Sequence, residues 1–391
     1  MKRFFPLSLL VIATMVAASC DNEGLTQADD PLAEHRGVAT GPSGRLVVMT
    51  RNLYLGADDD AIVAALASPD PTDDFPALVA AIQTFGNTYY PARAAAVADE
   101  IVRTRPHVVG LQEVSEVEIH LPPLPGLPDT GVNIHVPFLP ILLDHLAARG
   151  VNYVLAQDQS GANAFIQDFE VNLDVIGEIP GAEIRLVDND AMLVDADRVT
   201  VASAWGQLYS VNLGPIAPGI DLKRGWVGVV ASIAGESYTI VSTHLEAGHF
   251  LPELTLIRAA QAAELVGSLS NDLPAIVMGD LNDWVDTPMY QALVAGGLTD
   301  VWAALRPGVE GLTCCHLKDL SNAKPDFYER IDYVWTRGIG HPRSGVGGQV
   351  FRTGLLPFER IEGPAYEIWP SDHAGLVARL RVQSSLRIDR F

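Results

Sequence analysis

The chain has 391 residues, 48% of them hydrophobic, and a formal net charge of −22. That apolar fraction supports a packed core and excludes a disordered protein, and the length allows one large domain or two smaller ones. The balance of 26 basic against 48 acidic residues disfavours broad electrostatic capture of nucleic acid, but leaves open a phosphate ester admitted by metal ions or by a locally basic cleft.

The N-terminus reads as an address. Lys2 and Arg3 precede an apolar run from Phe4 to Val16, and the small residues Ala17, Ala18 and Ser19 lead into Cys20. A basic start, a short apolar segment and small residues make residues 1–19 a signal peptide. The run is shorter than the roughly 20 residues that span a bilayer. A cysteine directly after small residues resembles the lipobox of bacterial lipoproteins. This implies cleavage before Cys20, lipidation of its thiol, and an exported protein held at the cell envelope by a lipid anchor. An ordinary signal peptide with a chance cysteine is the alternative. Residues 20–44 form a polar tether holding Asp21, Glu23, Asp29, Asp30 and Glu34, without periodicity, as in a linker. No internal boundary follows it, so 45–385 is taken as one domain and 386–391 as a tail.

Along the domain, Arg45 to Leu53 reads as a buried strand ending in a polar turn. Asp58 to Tyr90, Ala-rich and interrupted at Ser68 to Asp74, predicts two short helices around a loop. Ala92 to Arg105 has helical spacing and stops before Pro106, and His107 to Gln112 is the next strand. Glu118 to Pro140 carries too many prolines for regular structure. It predicts an apolar loop packed on the domain, with a lip beside the site as the alternative. A helix is expected over Ile141 to Arg149. Strands follow over Tyr153 to Gln157, Ala191 to Val194, Trp226 to Ile233 and Ser237 to Thr243. Then come a helix over Leu254 to Ser268, a strand over Pro274 to Met278, a helix over Pro288 to Ala295, and strands over Ile331 to Thr336 and Leu376 to Val382. Strands outnumber helices and only some alternate with them, which makes a mixed α/β (α+β) domain. The chain has three cysteines. Adjacent Cys314 and Cys315 match no zinc spacing and read as two buried thiols, with a vicinal disulfide as the alternative.

Polar residues recur immediately after apolar strands, where they are held rigidly at an edge that opens onto a cleft. Asn52, Glu113, His244, Asp280 with Asn282 and Asp283, Asp332, and Asp372 with His373 all stand at such places. Carboxylates and amides are hard donors for Mg²⁺, Mn²⁺ or Ca²⁺. Histidines without nearby cysteines point to acid–base work or to binding of charge. A hard cation with a His–Asp pair suits phosphoester hydrolysis.

The segments MTRNLYLGAD, VVGLQEV, VSTHLE, VMGDLND, RIDYVW and WPSDHAG resemble, in order, the motifs of the endonuclease/exonuclease/phosphatase superfamily, the deoxyribonuclease-I-like fold, from Met49 to Gly375. The resemblance implies a four-layer α/β/β/α sandwich of two packed mixed β-sheets flanked by helices. It implies Glu113 as main metal ligand with Asn52 beside it and Asp372 completing the site. Asp280 would orient or deprotonate the attacking water, Asn282 would hold the phosphate, and His373 would stabilise the developing charge with Asp332 fixing its tautomer. His244 matches the histidine of the nuclease and lipid-phosphodiesterase branches. Tyr54 stands where some members carry an acidic residue, and Asp58 to Asp60 lie near enough to substitute, although a turn or helix cap is the favoured explanation of them. Arg258 and Gln261 are taken as structural.

The expected activity is divalent-metal-dependent hydrolysis of a lipid or small-molecule phosphoester by a monomer at the cell surface, with Mg²⁺ (or Mn²⁺/Ca²⁺) as cofactor. An extracellular endonuclease acting on DNA or RNA is the alternative; it requires basic residues such as Arg51, Arg93, Arg105, Lys223 and Arg224 to line the cleft. A non-catalytic surface binding module is disfavoured, because the whole set of polar strand-end residues is present.

Overall fold

The computed structural model describes residues 45–57, 68, 73–123, 131–173, 181–217, 220–248, 252–340 and 345–382. The expected leader, Cys20, the tether, Asp58 to Asp60 and the tail lie outside the described residues. Chain order gives β1 (Arg45–Asn52), α1 (Asp74–Thr88), α2 (Tyr90–Thr104), β2 (Val108–Gln112), β3 (Glu116–Leu121), β4 (Val132–Pro137), α3 (Phe138–Ala148), β5 (Tyr153–Leu155), β6 (Phe165–Leu173) and β7 (Glu183–Asp195). After these come β8 (Val199–Leu208), β9 (Gly214–Ala217), β10 (Ile220–Leu222), β11 (Gly225–Ile233), β12 (Glu236–His244), α4 (Pro252–Ser268), β13 (Ala275–Asp280), α5 (Pro288–Ala295), β14 (Thr299–Asp300) and α6 (Val301–Leu305). The last strands are β15 (Asp332–Arg337), β16 (Gly348–Thr353), β17 (Ile361–Glu362), β18 (Glu367–Ile368) and β19 (Gly375–Arg381).

Two large mixed sheets carry the domain. The first runs β16-β19-β1-β2-β7-β3-β4, with β5 and β6 also paired to β7; the second runs β14-β15-β13-β12-β11-β8. Each holds one parallel pair, β1 with β2 and β12 with β13, among antiparallel neighbours. The two-residue period of a strand sorts the side chains between layers. In β1, Leu46 and Val48 enter the core between the sheets, where they join Val229, Ile240, Ile276, Met278 and Val334 of the second sheet. Val47 and Met49 face outward onto Val97, Ile101 and Phe138 of the helices. The outer face of the second sheet, with Val241, Val277 and Trp335, is covered by Leu265, Met289 and Leu293. The order of layers is thus α/β/β/α.

The sheets approach closely beneath the strand ends. A Cβ on Gly110 would lie 2.3 Å from Ser242 Oγ, so β2 needs glycine there. Beside that contact Thr50 Oγ1 donates to Gln112 Oε1 at 3.1 Å, and Gln112 Nε2 donates to Ser242 Oγ at 2.8 Å. A buried, satisfied polar clasp thereby links the two sheets.

Two expectations need correction. The Pro-rich stretch is not irregular: β3 and β4 pair from Glu116–Pro137 to Leu121–Val132. Pro122 and Pro123 follow the first strand, Pro137 ends the second, and Pro140 falls in the first turn of α3. At these places a missing N–H costs little. The apolar residues Val117, Ile119, Leu121, Val132 and Ile134 fill the outer core, so they form no lip; residues 124–130 lie outside the described set. Of the two helices expected over 58–90, the second is α1, and residues 58–67 and 69–72 lie outside the described residues. Strands β6, β8 and β16 were not anticipated. Among the described residues no helix is long and apolar enough to cross a membrane.

The core also buries His107. Its Nδ1 accepts from Val47 N at 3.0 Å, and Nε2 faces Arg198 Nη2 at 2.5 Å. Burial, then the Arg198 charge, lowers its pKa from 6.5 to about 4. The fold therefore holds the imidazole neutral, whereas the unfolded chain takes up a proton below about pH 6.5. Stability is complete above that pH and is lost as pH falls toward 4, by up to about 3 kcal/mol. Thermal melts between pH 7 and 4.5 should show this decline, and His107→Gln should flatten it.

Candidate active site

The strands end at one polar edge. In the second sheet His244, Asp280 and Asp332 stand in one register row across β12, β13 and β15. All three share the inward parity of Ile240, Met278 and Val334, so their side chains leave the inter-sheet core at the same end. In the first sheet Asn52 closes β1 opposite Gln112 of β2. Glu113 follows β2 and is turned by a positive φ of 52°. Asp372 and His373 come just before β19.

Hydrogen bonds join these groups across the seam. Asn52 Nδ2 donates to Glu113 Oε1 at 2.8 Å and to Asp280 Oδ2 at 3.2 Å, and its Oδ1 accepts from Tyr54 N at 2.8 Å. Leu55 N donates to the other Glu113 oxygen at 2.6 Å. Asn282, at φ 50°, donates its backbone N–H to Asp280 Oδ1 at 3.0 Å and its side-chain Nδ2 to Leu245 O at 3.0 Å. His373 Nδ1 lies 2.9 Å from Asp332 Oδ2. Its Nε2 is 3.7 Å from Asp280 Oδ2 and 3.9 Å from Asp372 Oδ1. His244 Nε2 is 3.7 Å from the same Asp280 oxygen. All eight predicted site residues outside the leader therefore converge on one locus.

The two histidines are held in different charge states. Burial lowers the pKa of His373, but Asp332, Asp280 and Asp372 outweigh it and hold the ring well above its usual range, as an imidazolium. Burial, then Arg224, then His373, push His244 well below its usual range. Arg224 Nη1 lies 3.0 Å from His244 Nδ1, which places the His244 proton on Nε2, facing Asp280. Burial raises Asp280 to about 7, with His373 opposing the rise.

The residues fit a hard cation. One ligand atom each of Asp280, Asp332 and His373 lie within 4.8 Å of one another. Asp332 Oδ1 and Asp372 Oδ1 are buried without hydrogen-bond partners, and Glu113 and Asn52 add oxygen donors.

Several supporting residues escaped sequence reading. Arg51 donates to the His373 carbonyl and pairs with Glu100 at 3.0 Å. Ser371 Oγ donates to Asn52 O at 2.8 Å and accepts from His373 N at 3.1 Å. Arg93 holds the turn after β1 by donating to Leu53 O at 2.5 Å and Tyr54 O at 2.9 Å. Cys314 and Cys315 are disulfide-bonded, the less favoured of the two readings, and lie against His373. Next to them, His316 N donates to Asp372 O at 2.9 Å and Ala374 N to Thr313 O at 2.8 Å. Asp168, Asp188, Asp190 and Glu246 also surround Arg224 behind His244. The structural reading of Arg258 and Gln261 agrees with their contacts: Arg258 donates to Gly248 O at 2.7 Å and pairs with Asp283 at 3.2 Å, while Gln261 accepts from Glu246 N at 3.0 Å.

Comparison with known proteins bears on the fold and the family. No curated protein matches the sequence. Among solved structures, an endonuclease/exonuclease/phosphatase from Beutenbergia cavernae DSM 12333 aligns with a TM-score of 0.52 at 20% identity, covering 88% of this chain and 72% of that one. The human Nocturnin catalytic domain with bound sulfate aligns at 0.48 and 17% identity, covering 87% and 94%. The mannosyl-6-phosphatase Bt3783 of Bacteroides thetaiotaomicron aligns at 0.47 and 18%, covering 86% and 99%. Residues 82–373 match the sequence profile of the Endonuclease/Exonuclease/phosphatase family. The chain belongs to that family, whose members are phosphoester hydrolases and mostly metal-dependent.

Proposed function

We propose that the protein is a divalent-metal-dependent phosphodiesterase or phosphatase acting on a lipid or small-molecule phosphate at the cell surface. One observation carries the chemistry: two buried histidines, one cationic and one neutral, flank a single carboxylate, each 3.7 Å from Asp280 Oδ2. Environments that drive neighbouring titratable groups apart divide acid and base roles.

In this reading Glu113 and Asp372, with Asn52 beside them, hold a Mg²⁺ or Mn²⁺ ion. When bound, the ion neutralises charge on the non-bridging phosphate oxygens. Asp280, with a pKa near 7, takes the proton from the attacking water, as a base matched to neutral pH. Asn52 and the Asn282 backbone N–H fix that carboxylate, and the Asn282 side chain holds a phosphate oxygen. The His373 imidazolium meets charge spreading over the equatorial oxygens. Asp332 keeps its Nδ1 protonated so that Nε2–H faces the phosphate. Neutral His244 offers its Nε2–H to the scissile phosphate or the leaving group.

Substrate size follows from where the basic residues are spent. Arg51 and Arg93 are buried and tied to backbone carbonyls, and Arg224 faces carboxylates. Arg105 pairs with Asp195 at 3.1 Å and Lys223 with Asp221 at 2.9 Å. These five candidates do not supply a track for a polyanion. Exposed Trp284, two residues after Asn282, and Leu317, next to His316 whose N–H holds the Asp372 carbonyl, add apolar surface suited to a lipid or an aromatic leaving group. The Cys20 lipobox would hold the enzyme at a membrane.

The test is one purified sample with Mg²⁺ or Mn²⁺ against sphingomyelin, inositol phosphates, a chromogenic phosphodiester and plasmid DNA. Turnover of a lipid or small phosphoester, abolished in Glu113→Gln with near-UV circular dichroism unchanged, is the expected result. Cleavage of DNA alone at near-physiological salt overturns the substrate assignment. Full metal-dependent activity in Glu113→Gln overturns the site.

A further inference from the structure

Behind His244, away from Asp332, the chain buries more negative charge than the reaction needs. Asp168, Asp188, Asp190 and Glu246 are each no more than 3% exposed. The one guanidinium among them, Arg224, stands 3.9 Å from Asp168, from Asp188 and from Glu246, beyond hydrogen-bond reach. Asp188 accepts from Ser115 Oγ at 2.8 Å and Glu246 from Leu213 N at 3.3 Å. Asp168 and Asp190 differ: none of their four carboxylate oxygens has a hydrogen-bond partner. An ionised carboxylate buried in that state is costly unless a cation accompanies it.

The backbone aims both groups at the same place. Asp190 shares the inward face of β7 with Met192 and Val194. On β6 the register shifts between Gln167, opposite Asn189, and Phe169, opposite Asp188. Asp168 is the extra residue of that bulge, and a bulge re-aims its side chain. One ligand atom each of Asp168, Asp190 and His244 lie within 4.8 Å of one another.

We propose that Asp168, Asp190 and His244 form a second cation site, separate from the Glu113 site and taking a divalent transition ion such as Mn²⁺. Two carboxylates with one imidazole suit Mn²⁺ or Zn²⁺ better than Ca²⁺ or Mg²⁺, which take all-oxygen sets. The ion takes the His244 Nδ1 lone pair in place of the hydrogen bond from Arg224 Nη1, now 3.0 Å away, and leaves Nε2–H toward Asp280; Arg224, released, balances Asp188 and Glu246. Because His244 also borders Asp280, the ion couples this pocket to the reaction locus.

Mn²⁺ titration of the metal-free protein, read by electron paramagnetic resonance and by thermal melts, tests this. The wild type should bind two ions per chain, and Asp168→Asn and Asp190→Asn one each. Glu113→Gln should also bind one, and Asp190→Asn combined with Glu113→Gln none. Without metal, the two Asn variants should melt above the wild type, since each removes an uncompensated buried charge. With Mn²⁺, the wild type should gain more than either variant. Unchanged stoichiometry in both Asn variants, which would mean that the carboxyls hold protons and not an ion, overturns the proposal. One ion per wild-type chain that is lost with Glu113→Gln also overturns it. One ion lost with Asp190→Asn and kept in Glu113→Gln upholds this site while refuting the Glu113 assignment.

Discussion

Replacing His373 by Asn is expected to lower kcat on a phosphodiester by about 10²–10³-fold, roughly 3–4 kcal/mol of transition-state stabilisation, with KM little changed. The ring is a cationic side chain held against Asp332, Asp280 and Asp372 together. Its Nδ1 is fixed by Asp332 and its backbone carbonyl by Arg51. A preorganised charge of that kind costs no reorganisation as the reaction proceeds and acts mainly on the transition state, so its loss appears in kcat. The amide of Asn cannot carry the positive charge. The variant should therefore stay folded, by near-UV circular dichroism, while failing at turnover. Asp332→Asn should lose activity through the tautomer and not through the charge itself, and the double variant should be no worse than His373→Asn, as for residues that act as a unit. Wild-type kcat in His373→Asn would remove this residue from the mechanism.

Gly279→Ala is expected to be the most damaging of the small substitutions, with a cost of about 4 kcal/mol or more. Gly279 has a φ of 146°, and a Cβ there would lie 1.9 Å from Thr243 O. That oxygen is backbone of the paired strand β12, so no rotamer can move it away. Strain at this φ adds about 1–3 kcal/mol to the overlap. Gly235→Ala provides the control. Gly235, at φ 87°, lies with Ala234, at φ 54°, in the two-residue turn between β11 and β12, and a Cβ there meets nothing within 4 Å. It should lose only about 1 kcal/mol, the backbone component alone. Urea midpoints of the two variants at constant m-value give the comparison. A Gly279→Ala midpoint equal to that of Gly235→Ala would show that β13 can shift away from β12.

The residues legible in the sequence share one property. Asp280 and Asp332 sit at the end of or beside a short apolar run, and His244 closes a strand rich in β-branched and apolar residues (Tyr238 to Thr243), so the contrast between core and edge is written locally. Asp168 and Asp190 carry no such mark. Both lie inside strands, where an acidic residue argues for a solvated face, and only the packing of the second sheet over them makes them buried. For the same reason β7 begins at Glu183 and not at Ala191: Asp188, Asn189 and Asp190 break the apolar pattern without breaking the ladder. Strands β6, β8 and β16 were missed because their exposed faces mix polar and apolar residues. The Pro-rich stretch misled in the opposite direction. Among the described residues its prolines stand at strand ends and in a first helical turn, and the paired strands keep a two-residue period that proline content obscured. The disulfide at Cys314 and Cys315 could not be decided from spacing, since adjacency is compatible with either state.

The clasp of Thr50, Gln112 and Ser242 lies directly beneath a locus whose halves belong to different layers. Asn52, Glu113, Asp372 and His373 ride on the first sheet, while His244, Asp280, Asn282 and Asp332 ride on the second. The working distances at this locus are therefore set by the gap between two rigid slabs. Neither slab holds the complete constellation, so any parting of the layers disperses every functional group at once. A phosphate or a cation bound across the seam acts as a rivet between them, and catalytic competence and mechanical closure of the sandwich become a single quantity.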